Sequence, residues 1–175
     1  MIGICRLYKY YLGMPSVAGR NYDLAELKKY IGQALHLHKN RKVCIIGLGR
    51  IGTSMLAYSE GFREDGFEIT AGFDNSINKI ERIITPVSLY GINNLKTVIE
   101  SKNIEIGIIC TPPEAAQGIA DQLASAGIKG ILNCTTTMVR VPEGVIIRNI
   151  DYTGYLRILS ANIGLRENNK KKRGK

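Results

Sequence analysis

The stretch Lys42–Asp74, KVCIIGLGRIGTSMLAYSEGFREDGFEITAGFD, constrains what this chain can fold into more than any other. Val43 to Ile46 is a short apolar, β-branched run. Gly47, Gly49 and Gly52 follow in G-x-G-x-x-G spacing. Ile51, Met55, Leu56 and Ser59 form a helix-type pattern, and a second apolar run, Phe67 to Phe73, ends at Asp74. Strand, glycine turn, helix, strand and acid is the order of a dinucleotide-binding βαβ unit. Gly47 permits a tight turn off the strand, Gly49 lets a pyrophosphate approach the backbone, and Gly52 lets the helix pack closely. The helix amino terminus, at Arg50 and Ile51, offers unpaired N–H groups and a partial positive charge to phosphates. Arg50 is expected to meet a phosphate or solvent. Asp74 lies 22 residues beyond Gly52. A carboxylate there accepts hydrogen bonds from a ribose diol and repels a 2′-phosphate, which favours NAD over NADP. The competing reading is a Rossmann-like domain whose glycines only tighten a turn.

The flanking sequence extends the pattern. Gly3 to Leu12 carries Ile4, Leu7, Tyr8, Tyr11 and Leu12 on one helical face, ended by Gly13 and Pro15. Asp23 and Glu26 form a capping box for a second helix that ends near His38. After Asp74 we expect a loop with one helical turn (75–81), a strand at Pro86–Tyr90, and a helix capped by Asn93 with Leu95, Val98 and Ile99 buried. Ile104–Cys110 reads as a central strand, Glu114–Ala126 as an alanine-rich helix ending at Gly127, and Lys129–Asn133 and Val145–Asn149 as strands. Asp151 caps a last helix, Tyr152–Ile163. The fold class is therefore α/β, a Rossmann-type doubly wound parallel sheet preceded by two short helices. The divisions are 1–40, 41–150, 151–164 and a basic tail at 165–175. Ligands bind outside the carboxyl ends of such strands. That rule gathers Gly47 to Gly52, Asp74, Thr111, Pro112, Asn133, Cys134 and Asp151 around one crevice.

Charge and cysteine usage narrow the function. The net charge is +9, and more than half of it sits in Gly164–Lys175, where six cationic side chains face one acid, Glu167. Such a tail can attract nucleic acid weakly, but is more often solvated and disordered. The four cysteines, at 5, 44, 110 and 134, lack metal-ligand spacing. Cys44 and Cys110 read as inert core residues. Cys110 and Cys134 each end a strand at the crevice, so a redox role for the pair is the alternative to burial. His36 and His38 are two apart and point to different sides of a helix, so no metal is expected. No apolar run is long enough to span a membrane, and the amino terminus is a poor signal peptide. A cytoplasmic location is expected.

Several blocks, in order, resemble the Rex family of bacterial redox-sensing transcriptional repressors. They are IIGLGRIG, LAYSEGF, the FD at Phe73-Asp74, EAAQ at Glu114, AGIKGILN at Ala126, VPEGV at Val141 and RNID at Arg148. The resemblance covers about Arg20 to Leu165. It implies a homodimer that binds NADH or NAD⁺ and reports their ratio through its grip on DNA. It implies that Gly47, Gly49, Gly52 and Asp74 hold the adenosine half. It also implies a switch in which Tyr58 pairs with Asp151 in one redox state. Tyr152 stands where the family commonly has phenylalanine. The helix from Tyr152 to Ile163 matches one that family members exchange between protomers. After the asparagine at 133 the family has APVV-like residues, whereas this chain has Cys134-Thr135-Thr136-Thr137. ICRLYKYYLG resembles the family's first helix, and GRNYDLAEL resembles the segment after its wing; the turn and recognition helix between them are missing. Residues 1–40 are thus expected to be a helical remnant of a winged-helix region plus a linker helix, with sequence-specific DNA binding lost or weakened.

Three function classes are compatible with these residues. The first is a nucleotide-sensing regulator, acting as a homodimer or by pairing with a full-length relative, with DNA contact at most weak and through the tail. The second is a CoA- or other nucleotide-binding module, against which Asp74 counts. The third is an NAD-dependent oxidoreductase, for which no proton-transferring lysine closely follows the strand ends and no substrate domain follows the sheet. No enzyme activity is expected.

Overall fold

The computed structural model describes residues 31–32 and 40–173, and of residues 168–173 the backbone. Ile31 and Gly32 are helical. The two amino-terminal helices, the remnant at 1–40 and the two histidines otherwise lie outside the described residues.

β1 (Arg41–Ile46), β2 (Phe67–Asp74), β3 (Ser88–Gly91), β4 (Ile106–Ile109), β5 (Gly130–Asn133) and β6 (Ile146–Asn149) form one sheet in the order β3-β2-β1-β4-β5-β6. Every pairing is parallel. The order reverses between β1 and β4, which makes their carboxyl ends the switch point where a doubly wound sheet opens a ligand crevice. Val43 to Ile46 is buried on both faces, which explains its unbroken apolar run. Cys44, Ile46, Phe73 and Ile109 pack beneath α4 (Leu95–Lys102) and α5 (Pro113–Ser125). Val43, Ile45, Ile69 and Ile108 pack on the opposite side with Leu56 of α1 (Arg50–Ala57).

Several boundaries move for local reasons. β3 begins at Ser88 rather than Pro86, since proline lacks the N–H a ladder uses. Glu105 precedes β4 and is spent on ion pairs with Arg41 (2.9 Å) and Lys129 (2.7 Å). Asn93 lies in a 3₁₀ turn (Ile92–Asn94) and does not cap α4, whose N-cap position is Asn94. The segment after Tyr58 is helical: α2 (Ser59–Glu64) has Glu60 in its first turn and Arg63 in its last, matching the helix dipole. The turn after β2 is α3 (Ile77–Arg82).

The largest difference is at the carboxyl end. α6 runs from Tyr152 to Arg173, well past Ile163 and through the expected tail. Lysine, arginine and glutamate are good helix formers, so a basic run need not end a helix. Tyr155, Leu156, Ile158, Leu159, Ile163 and Leu165 of α6 are 57% to 67% exposed. A groove of about 470 Å³, walled by Val43, Ile69, Ile106, Ile108 and Leu132, also stays open. Among the described residues no helix is long and apolar enough to cross a membrane.

Candidate functional site

The site begins where β1 ends. Gly47 has φ +93°, and a Cβ there would stand 2.7 Å from the backbone of Cys110 and Thr111. Only glycine adopts that turn without strain while lying against the neighbouring chain. A Cβ at Gly52 would run into the Gly47 carbonyl oxygen, which fixes how closely α1 approaches β1. Gly49 faces open space, with nothing within 4 Å of a Cβ built there. The turn is thus tight behind and open in front, where a phosphate group would approach.

No side chain caps α1, and its first turn holds no acid. Its leading N–H groups are therefore available to an anion. Arg50 and Ile51 are exposed at this end; they line a shallow hollow of about 400 Å³ with Met55, Tyr58 and Phe62.

Asp74 is 4% exposed at the tip of β2. Its Oδ2 accepts the Leu48 N–H at 2.8 Å and its Oδ1 accepts the Ser76 N–H at 2.8 Å. Lys79 Nζ lies 3.5 Å from Oδ2. A carboxylate has about four lone-pair sites, so acceptor capacity remains for a diol.

Thr111 and Pro112 follow β4, and Pro112 occupies the N-cap position of α5. The Thr111 hydroxyl is buried without a hydrogen-bond partner. An orphaned hydroxyl costs about 1–3 kcal/mol, and this one stands beside the glycine turn. With the open face of Gly49 and the uncapped start of α1, it makes the crevice fit for a phosphate-bearing dinucleotide.

Asn133 behaves differently from expectation. It is wholly buried, and its amide is saturated within the protein. Its Nδ2 donates to the Thr137 carbonyl (2.7 Å) and to Asn149 Oδ1 (2.8 Å). Its Oδ1 accepts from the Thr135 N–H (3.1 Å) and hydroxyl (2.8 Å). No capacity is left for a ligand, so Asn133 shapes the loop after β5 instead of presenting its amide. Thr135 and Thr137, read from the sequence only as a polar run, are the other half of this knot. No periodicity signals such a network, because it depends on the register that sets Asn133 against Asn149.

Among the described residues no hydrogen bond joins Tyr58 to Asp151 within one chain. The Tyr58 ring packs over Gly61 and edge-on to Phe62, with centroids 5.6 Å apart. The exposed Asp151 caps α6, its Oδ1 accepting the Gly154 N–H at 2.8 Å. Tyr152, beside it, is exposed.

Cys44 lies at the centre of the sheet, where burial pushes its thiol up to about 12 against a small opposing backbone hydrogen bond. Cys110 and Cys134 end neighbouring strands. Among the described residues no group of three or more His, Cys, Asp or Glu is placed to hold a metal ion.

Comparison with known proteins agrees with this geometry. The family model described as "CoA binding domain" matches residues 38–137. The "Redox-sensing transcriptional repressor Rex" of Carboxydothermus hydrogenoformans is 39% identical over 153 residues, 87% of this chain and 73% of that protein. The crystal structure of "RSP in complex with beta-NADH" superposes with a TM-score of 0.77 at 31% identity, covering 86% of this chain and 72% of that one. That of "RSP in complex with beta-NAD+ and operator DNA" gives 0.79 at 28% identity, covering 97% and 84%.

Proposed function

Because this chain belongs to the Rex family of redox-sensing transcriptional repressors, we propose that it binds NADH and NAD⁺ in the crevice beyond β1, β2 and β4 and works as a redox-responsive regulator. The observation that carries this reading is the buried Asp74 carboxylate, holding the glycine turn through Leu48 while the face of Gly49 stays open. Gly47, Gly49 and Gly52 shape the phosphate side. The amino terminus of α1 at Arg50 and Ile51 supplies its N–H groups, and Asp74 takes the adenosine ribose. Thr111 and Pro112 line the way to the nicotinamide, with Asn133 supporting the floor. Oxidised nicotinamide is cationic and reduced nicotinamide is neutral, so a carboxylate such as Asp151 distinguishes them. A ligand shifts a conformational equilibrium only through its different affinity for the two states, typically about 1–3 kcal/mol.

The switch pair is Tyr58 and Asp151, with Tyr152 beside it. No hydrogen bond joins the two within one chain, and the reading brings them together across a homodimer. The apolar residues exposed on α6 and the open groove on the sheet are surfaces that such a dimer would bury, with α6 exchanged between protomers. A full-length relative would use the same surface to form a heterodimer. The residues after β4 and β5, Cys110-Thr111-Pro112 and Cys134-Thr135-Thr136, include no histidine or lysine to transfer a proton. That favours a regulator over an oxidoreductase. Only ten residues, 13–22, separate the two helix-like amino-terminal segments. This supports weakened DNA reading, with residual contact through the cationic end of the chain; a gel shift on operator DNA of the kind bound by RSP tests it.

The family model leaves CoA as the second ligand to weigh. CoA carries a ribose 3′-phosphate, which the Asp74 carboxylate would repel. Calorimetric titration with NADH, NAD⁺, NADPH and CoA decides the matter. The expected result is binding of both NAD forms with unequal affinity, and NADPH and CoA at least about tenfold weaker. Tighter binding of CoA, or no heat with either NAD form, overturns the proposal.

A further inference from the structure

Two thiols at the crevice take no part in the nucleotide reading. β4 and β5 pair in register up to Ile109 and Asn133. Cys110 and Cys134 are the next residues on each strand, and the Cys134 N–H donates to the Ile109 carbonyl at 2.9 Å, so the register continues beyond the ladder. Both side chains belong to the same apolar face. Neighbouring strands lie ~4.7–4.9 Å apart, inside the ~4.4–6.8 Å that disulfides span between Cα atoms. Cys134 is 6% exposed and Cys110 is half-buried. The Cys110 thiol also lies 3.9 Å from the Met55 sulfur.

We propose that Cys110 and Cys134 are a redox-active dithiol that hydrogen peroxide closes to a disulfide, and that closure weakens dinucleotide binding. The interaction of the two thiols, with burial, holds Cys110 above its ordinary range, and the same interaction lowers Cys134. In this scheme Cys134 is written as the attacking sulfur, in the thiolate form that is the nucleophile. It attacks one peroxide oxygen, the O–O bond breaks, and hydroxide leaves and is protonated to water. The Cys134 sulfenic acid that remains is attacked by the Cys110 sulfur. The S–O bond breaks and a second water leaves. Two electrons pass from the sulfurs to the peroxide, and both thiol protons end in the waters. A small dithiol reverses the change by thiol–disulfide exchange.

The coupling to the crevice is steric. Gly47 lies so close to the Cys110 backbone that no Cβ fits between them. Drawing Cys110 toward Cys134 therefore moves the wall against which the glycine turn rests. This consequence rests on the nucleotide reading above; the disulfide itself does not.

The test treats the full-length reduced protein with dilute hydrogen peroxide in the presence of a chelator, then maps peptides without reduction and titrates NADH. The expected result is a Cys110–Cys134 cross-linked peptide, lighter by two hydrogens, with NADH affinity lowered about tenfold and restored by dithiothreitol. Cys5→Ser keeps the cross-link, whereas Cys110→Ser and Cys134→Ser each remove it. No cross-link in the wild-type protein overturns the proposal, as does a cross-link that leaves NADH affinity unchanged. If the reduced protein binds no NADH, the nucleotide reading fails instead, and the mass measurement still decides the disulfide.

Discussion

The Asp74 carboxylate accepts the main-chain N–H of Leu48 at 2.8 Å, joining the tip of β2 to the middle of the glycine turn 26 residues earlier in the chain. The same side chain thus shapes the turn and, in the proposed reading, would also face the ribose. Asp74→Asn removes the charge and keeps an acceptor for only one of the two N–H groups, whereas Asp74→Ala strands both. We expect Asp74→Ala to cost about 1–3 kcal/mol of stability and both variants to weaken NADH about tenfold or more. Preference against NADPH should relax in both. Thermal melts paired with calorimetry read the two effects separately; unchanged NADH affinity in both variants would remove the ribose role.

Gly52 leaves no room for a side chain, because α1 lies directly on the Gly47 carbonyl. Gly52→Ala must push the helix off the strand. Overpacking of this kind costs about 1–3 kcal/mol. The NADH-induced thermal shift should disappear in protein that still folds, as judged by circular dichroism.

The saturated amide of Asn133 predicts a different pattern. Asn133→Ala leaves the buried Thr135 N–H without its acceptor, at about 1–3 kcal/mol, and also removes donors to the less buried Thr137 carbonyl and Asn149 side chain. Urea denaturation should show a loss larger than that of Asp74→Ala. NADH affinity measured well below the melting range should fall less than in the Asp74 variants.

Alkaline stability should carry the mark of Cys44. Its ordinary value is 9.0, and burial raises it to about 12. From 9 to 12 the folded protein keeps a proton that the unfolded chain has lost. The contribution is therefore intact below pH 9 and is lost as pH rises toward 12, at about 1.4 kcal/mol per pH unit. Cys44→Ala should flatten that slope in urea melts compared between about pH 8 and pH 11.

Association should depend on α6. Leu159 is 57% exposed in the single chain. Leu159→Glu places a charge on a surface that the proposed dimer buries. Light scattering behind size exclusion should give a dimer for the wild-type chain and a monomer for the variant, with secondary structure preserved.

How far the sequence announced these features varied with their physics. The β1–α1–β2 unit was legible because its signals are local: a β-branched run, glycines at fixed spacing and an acid at a strand tip. The helical character of Ser59–Glu64 had no clear local signal, because Gly61 is a poor helix former that here makes room for the Tyr58 ring. The length of α6 was hidden by its lysines, which suit a solvated tail as well as a helix. Asn133 was correctly placed at the end of β5, yet its engagement was invisible, because Asn149 joins it only through strand register. The proximity of Cys110 to Cys134 follows from the same kind of fact.

The knot of Asn133, Asn149, Thr135 and Thr137 also has a mechanical reach. Asn149 ends β6, and only Ile150 and Asp151 separate it from the first residue of α6. A pull on the long terminal helix is therefore delivered, through one amide-to-amide bond of 2.8 Å, to the loop that floors the crevice. Whatever grasps α6 holds a lever whose short arm ends beside Cys134.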